Sequence, residues 1–191
     1  MSGRAGFVWA TKQHFNRYIE DSGIGCELIT PHMLAAPFFR PTITCLIVPT
    51  GFANPAYSNL LPALRASAPR ITRFVENGGN LLVFGAAMER PDAYDWLPFL
   101  LRYTHDHHPR SISCSPASAG RLIIEDYDAS CIECDGSFSE FDAECAGSSG
   151  EFAVMLEKHL GKGTILVTSI HEFPSRAFLQ EFCGSGEPVM F

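Results

Sequence analysis

Residues 77–88 read NGGNLLVFGAAM, a glycine pair, an apolar run of four and an abrupt stop. Gly78-Gly79 lets the backbone turn, residues 81–84 read as a strand with no polar face, and Gly85-Ala86-Ala87 ends it. A strand that is apolar throughout must be covered on both faces, as parallel strands inside an α/β sheet are. In such sheets the residue that follows a strand stands at its carboxyl edge, where active sites collect. Many enzymes place a nucleophile on that turn. Here the turn carries only glycine and alanine, so a site-bearing scaffold is expected without its reactive atom.

The neighbouring segments repeat the alternation of strand and helix. Residues 6–10 (GFVWA) predict a first strand, and residues 11–21 place Phe15, Tyr18 and Ile19 at helical spacing before Gly23 and Gly25 stop them. Residues 26–29 form a short second strand; residues 42–48 (TITCLIV) are the strongest strand signal in the chain. Between them Pro31, Pro37 and Pro41 punctuate a loop or one-turn helix anchored by Phe38 and Phe39. Pro62 and Pro69 predict two short helices before the glycine pair, the second capped by Ser67, with Ile71, Phe74 and Val75 as its buried stripe. Strands alternating with helices imply a parallel sheet with right-handed crossovers.

The second half changes character. Residues 95–103 predict a short apolar helix. Residues 110–150 are rich in Ser, Gly, Asp and Cys, with brief strands expected at 121–125 and 130–133. Residues 152–160 and 164–170 flank Gly161-Lys162-Gly163, a turn that suits an antiparallel hairpin. An amphipathic helix follows at 175–182. The chain is therefore expected to be one domain over 1–191, with a hairpin or irregular insertion at about 104–150.

Composition narrows the partners. The net charge is −7, and the nearest basic cluster, Arg65, Arg70 and Arg73, falls on a predicted helix as a solvated face, so no nucleic-acid role is expected. No run approaches the ~18 apolar residues of a membrane span, and the first apolar run is too short for a signal peptide. A soluble, cytoplasmic protein is expected, with no membrane partner and its seven cysteines mostly reduced thiols. Homo-oligomer formation through a sheet edge or the second-half insertion has no motif behind it.

Three segments, in order, resemble class I glutamine amidotransferase domains. Residues 47–52 (IVPTGF) resemble the strand and Pro-Gly-Gly loop that supplies an oxyanion-hole amide in that family. Residues 74–87 resemble its helix, Gly-Gly turn and strand ending in a Gly-x-Cys-x-Gly elbow. Residues 164–182 (TILVTSIHEFPSRAFLQEF) resemble the late strand that ends in His-Pro-Glu, with the helix that follows. The likeness covers about residues 5–90 and 150–183. It implies an α/β, flavodoxin-like three-layer sandwich with a mostly parallel central sheet and a C-terminal antiparallel hairpin.

The departures from the family pattern bear on function. The elbow's Cys falls on Ala87, or on Ala86 if the register shifts by one, and without a thiolate no thioester forms. Glu89 stands where the second elbow glycine would be, and Thr50 replaces a loop glycine. His171 matches the family's base, whereas Glu172 is adjacent to it instead of two residues on. The expected function is therefore a non-catalytic or diverged member. It would bind a small polar ligand or a protein partner in the former active-site crevice through Gly51, Phe52, Ala87 and His171, with no cofactor.

Two other classes compete. One is a hydrolase or transferase that uses His171 with Glu172, or a relocated thiol such as Cys134. The other is a metal or redox module built on Cys114, Cys131, Cys134 and Cys145, a set that lacks a second C-x2-C pair. Asp135-Gly136 reads first as a hairpin turn, with a pocket carboxylate as the alternative. The run His105-Asp106-His107-His108 reads as a polar loop, with metal binding as the alternative. Thr11-Lys12-Gln13-His14 follows the first strand to the same carboxyl edge, where helix capping explains it equally well.

Overall fold

The computed structural model describes residues 3–191. The first half alternates as β1 (Arg4–Val8), α1 (His14–Asp21), β2 (Gly25–Ile29), α2 (Pro31–Ala35), β3 (Thr42–Ile43), β4 (Cys45–Val48), α3 (Leu60–Glu76) and β5 (Asn80–Val83). Six strands then follow one another: β6 (Arg102–Arg110), β7 (Ser113–Cys114), β8 (Ile132–Ser139), β9 (Glu144–Ser149), β10 (Phe152–Leu160) and β11 (Gly163–Thr168). A last helix, α4 (Arg176–Ser185), precedes β12 (Val189–Met190).

Ten strands make one mixed sheet in the order β2-β1-β4-β5-β11-β10-β8-β6, with β9 also on β10 and β7 on β9. From β2 to β11 every pairing is parallel. Beyond β11 every pairing is antiparallel, beginning with the β10–β11 hairpin expected from sequence. β12 and β3 form a separate two-stranded antiparallel sheet.

The continuous apolarity of β4 and β5 follows from their position. Successive side chains on a strand point to opposite faces. Leu46, Val48, Leu81 and Val83 pack with Leu64, Ile71, Phe74 and Val75 of α3. Cys45, Ile47 and Leu82 pack on the other face with Phe15 and Ile19 of α1 and Phe178, Leu179 and Phe182 of α4. Each such side chain stabilises the fold by about 1.5–3 kcal/mol through burial. No helix among the described residues is long and apolar enough to cross a membrane.

Several sequence expectations are corrected. Residues 60–76 form one helix, not two, with Pro69 inside it. Ser67 does not cap a second helix; its hydroxyl donates to the Leu34 carbonyl at 2.8 Å. The Arg70 guanidinium reaches the Leu34 and Ala36 carbonyls, each at 2.7 Å, so packing against α2 holds the helix together through a residue that removes one of its backbone bonds. The helix expected at 95–103 is a chain of turns, broken by Pro91 and Pro98, that buries Tyr94 and Trp96 before β6 begins. The strand expected at 121–125 is a run of turns, with Ile123 and Glu125 bonded back to Gly120 and Leu122. Turns can bury the consecutive Ile123 and Ile124, which a strand with one wet face cannot.

The strand expected at 130–133 lies at 132–139 and takes in Asp135-Gly136, which is therefore not a hairpin turn. Gly136 is needed there for closeness: a Cβ would lie 2.1 Å from the Thr104 carbonyl oxygen on β6. About half of residues 104–150 thus serve as added strands of the main sheet.

Candidate functional site

The carboxyl ends of β4 and β5 are tied together. The Phe84 amide donates to the Val48 carbonyl and the Gly51 amide to the Gly85 carbonyl, both at 2.9 Å. Two residues on, Ala87 has φ 55°, a left-handed conformation that disfavours any side chain with a Cβ by roughly 1–2 kcal/mol. Asn54 Nδ2 fastens this strained turn by donating to the Ala87 carbonyl at 3.2 Å. Gly51 sits so close that a Cβ on it would be 3.9 Å from that of Ala87. Of the two alanines, Ala86 is fully buried in the core and Ala87 holds the sharp turn, with only a methyl group to offer.

Beside the turn lies a pocket of about 280 Å³. Its walls include Trp9, Phe15, Phe84 and Phe173, with Gln13, His14, Thr50, His171 and Glu172 as polar groups. Phe15 stacks on Phe173 with centroids 4.7 Å apart and meets Phe84 edge-on at 5.7 Å. The Thr11–His14 segment therefore reaches this edge through Gln13 and His14. Thr50 and His171 face the pocket; Gly51, Phe52 and Ala87, expected to bind a ligand there, are not among its walls. Phe52 is fully buried against Tyr94 and Trp96, and the Gly51 amide is bonded to Gly85.

On the other side of His171 stands a group of charged side chains from the antiparallel strands. The chain after β11 hooks onto β8: Ile170 bridges Cys134, the His171 amide donates to the Glu133 carbonyl at 2.8 Å, and the Asp135 amide donates to the Ser169 carbonyl at 2.6 Å. These bonds bring His171 Nδ1 to 3.5 Å from Asp135 Oδ1. His107 Nδ1 lies 3.6 Å from the same oxygen, and His107 Nε2 lies 3.5 Å from Glu133 Oε2. The two imidazoles meet edge to face, with centroids 5.3 Å apart.

His107 reaches this place because β6 carries an irregularity. His105 pairs with Gly136 and His108 with Cys134, so three steps on β6 match two on β8. Such a bulge bends the strand and re-aims a side chain. The Tyr103 hydroxyl donates to the Asp135 carbonyl at 2.9 Å and Ser169 Oγ to the Gly136 carbonyl at 2.7 Å, pinning β8 from both sides.

The Asp135 side chain is 3% exposed, against 48% for His107 and 50% for His171. Its Oδ2 is buried without a hydrogen-bond partner. That oxygen is pressed on Gly85, where a Cβ would come within 2.4 Å of it. The hydrogen bond to Asp135 raises the His171 pKa above its ordinary value, outweighing burial, and the charges of Asp135, Glu172 and Glu133 act in the same direction.

The four cysteines do not come together. Cys114 is half-buried on β7, Cys131 and Cys145 are exposed, and Cys134 is buried. Burial pushes the Cys134 thiol up to about 12, so it is a poor nucleophile and a poor metal ligand. Among the described residues, the one group of three or more His, Cys, Asp and Glu side chains whose donor atoms lie within 4.8 Å of one another is His107, Asp135 and His171. The sequence marks His171 at a strand end and leaves Asp135 and the histidine run as separate alternatives, with nothing to join them. The available signal was Glu133-x-Asp135, two acids on one face of a strand.

Comparison with known proteins gives a fold. No protein-family model matches the chain, and no curated protein sequence matches it either. Among solved structures, a Thermoplasma acidophilum protein provisionally named as one subunit of GMP synthase superposes with a TM-score of 0.62 at 12% identity, over 96% of this chain and 94% of that one. A cytoplasmic protein from Salmonella typhimurium LT2 gives 0.57 at 12% identity, over 95% of each chain. A β-galactosidase from Bacillus circulans sp. alkalophilus gives 0.55 at 12% identity over 96% of this chain but only 30% of that enzyme. The chain therefore shares the α/β fold of these proteins. Likeness at this identity speaks to fold and not to activity.

Proposed function

We propose that this chain is a diverged amidotransferase-like protein, built as a flavodoxin-like three-layer sandwich, that performs no glutamine hydrolysis and binds a small ligand in the crevice beside its elbow. The observation that carries the reading is Ala87. It keeps a left-handed backbone at the sharp turn, as a nucleophile elbow would, and bears a methyl group where the chemistry needs a thiolate. A strained conformation held in place by Asn54 supports a turn inherited from a catalytic ancestor.

The pocket walls favour a ligand with a flat apolar body, which Phe15, Phe84 and Trp9 would sandwich, and one polar end for Gln13, His14 or His171. A volume of about 280 Å³ is at the low end for organic ligand sites, so the ligand is small. A protein partner would use the same crevice by inserting one side chain.

Two measurements test this. Purified protein incubated with glutamine should release no ammonia above background; release that disappears in His171→Ala overturns the reading. The fluorescent aromatic anion 1-anilinonaphthalene-8-sulfonate should bind the folded protein at one site and be excluded by Thr50→Trp, which fills the mouth. Equal binding to that variant removes the crevice as the site.

One observation favours a second reading, hydrolysis by His171 as general base. Asp135 sits on its Nδ1 and can fix the imidazole orientation, as the carboxylate of a triad does. With Cys134 buried in the core, the nucleophile in that reading is water.

A further inference from the structure

We propose that His107, Asp135 and His171 form a binding site for one divalent first-row transition-metal ion, distinct from the organic-ligand pocket that His171 also borders. Two imidazoles and one carboxylate make up the donor set of zinc and non-haem iron sites that keep coordination positions open. The spacing suits it. Ligand atoms about 2.0–2.2 Å from a tetrahedral ion stand roughly 3.3–3.6 Å apart. Here the two imidazole nitrogens lie 3.5 and 3.6 Å from the shared Asp135 oxygen.

Three features beyond the cluster itself point to a cation. The first is Asp135, a carboxylate buried to 3% side-chain exposure whose Oδ2 packs on Gly85 without a hydrogen-bond partner, so that compensation for its charge falls to Oδ1, the oxygen that faces both imidazoles. Burying a charged carboxylate is costly unless it is paired or coordinates a metal. Its Oδ1 contacts are two long approaches from neutral-capable imidazoles, and the adjacent acid is Glu133, which adds negative charge. The nearby Arg110 is engaged elsewhere, by Asp106 at 3.1 Å. With both imidazoles neutral, as metal ligands must be, a bound cation would supply the opposite charge.

The second feature is Glu133. Its carboxylate lies on His107 Nε2, opposite the nitrogen that faces Asp135. A carboxylate behind a histidine keeps the proton on the far nitrogen, leaves the near one as a donor and strengthens it as a ligand. The third is the backbone. Asp135 and His171 are held by the amide bonds to Ser169 and Glu133, and His107 is turned inward by the β6 bulge. A constellation built on paired strands holds its geometry better than one on loops. The absence of thiolate among the donors selects a borderline ion such as Zn²⁺, Fe²⁺ or Co²⁺ over Cu⁺. Both histidines are half-exposed, so the ion's remaining positions face solvent.

The test uses the full chain, stripped with a chelator, dialysed and titrated with ZnCl₂ by calorimetry, with bound zinc counted by elemental analysis. One equivalent of Zn²⁺ is expected. His107→Ala and His171→Ala, both at exposed positions that leave the core intact, should each weaken binding by about 100-fold or more, and Glu133→Gln by about 10-fold. Binding should be unchanged in the Cys131→Ser/Cys145→Ser variant. Circular dichroism of each variant confirms that it is folded. Absence of zinc uptake by the wild-type protein overturns the proposal, as does uptake that keeps full affinity in the His107→Ala/His171→Ala double variant or disappears in the cysteine variant. Loss of 1-anilinonaphthalene-8-sulfonate binding alone leaves these results unchanged, so failure of the pocket reading and failure of the metal site are separable.

Discussion

The two halves of the main sheet carry opposite kinds of residue to the same edge. The parallel half, β2 to β11, buries apolar side chains on both faces, and a sharp turn beyond it ends in Ala87. The antiparallel half brings His107, Glu133 and Asp135 from β6 and β8, and sets Asp135 against Gly85 of the parallel half. His171, three residues beyond the end of β11, is where the halves meet. One edge thus carries an inert turn from one half of the sheet and charged groups from the other. Fold likeness alone does not report the charged groups.

That contrast can be broken in graded ways. The largest effect is expected from the parallel core: Leu46→Ala should destabilise the protein by about 2–5 kcal/mol in denaturant unfolding and leave zinc affinity untouched. If zinc affinity falls in step with stability, the halves are not separable. At the junction, Gly85→Ala should lower stability by roughly 1–3 kcal/mol because the new methyl meets the Asp135 carboxylate, and it should also weaken zinc binding. Gly25→Ala, where a Cβ meets nothing closer than 3.8 Å, is the matched control.

Smaller effects sharpen the picture. Ala87→Gly relieves a left-handed residue, and should raise stability by up to about 1 kcal/mol, the gain being reduced by the extra freedom of glycine in the unfolded chain. A loss of stability would mean that the methyl packs in a way its backbone does not suggest. His107→Ala should change stability by no more than about 0.5 kcal/mol, since the side chain is half-exposed, while it removes zinc binding. The smallest effect is in pH. In metal-free protein the raised His171 pKa means that its pairing with Asp135 stabilises the fold fully below the ordinary value of 6.5 and is lost as pH rises through the raised value. A nuclear magnetic resonance titration should place His171 above 6.5, and Asp135→Asn should bring it down; an unmoved value would remove Asp135 as the cause.

Much of the parallel half was legible because local pattern and tertiary role agree there. Residues 45–48 and 80–83 are largely apolar in sequence for the reason that both faces are covered. The hairpin around Gly161 was legible because the turn is short. What escaped reading depends on distant contacts. Pro69 looks like a helix break until Arg70 and Ser67 are seen gripping α2. Asp135-Gly136 looks like a turn until Tyr103 and Thr104 are placed across from it. The charged group was half legible: His171 stood out at a strand end, but nothing local says that β6 gains a residue relative to β8 and so swings His107 toward Asp135.

That surplus residue has a genetic consequence. In a regular ladder, inward and outward positions are fixed by parity, and point substitution changes which side chain stands at a position but never which way the position faces. Removing the His107 codon would close the β6–β8 ladder with Asp106 opposite Asp135, take the imidazole away from that carboxylate and leave the rest of the sheet in register. The constellation at Asp135 is therefore open to gain and loss by single-codon insertion and deletion. Relatives that differ in length at this point are the place to look for its presence or absence.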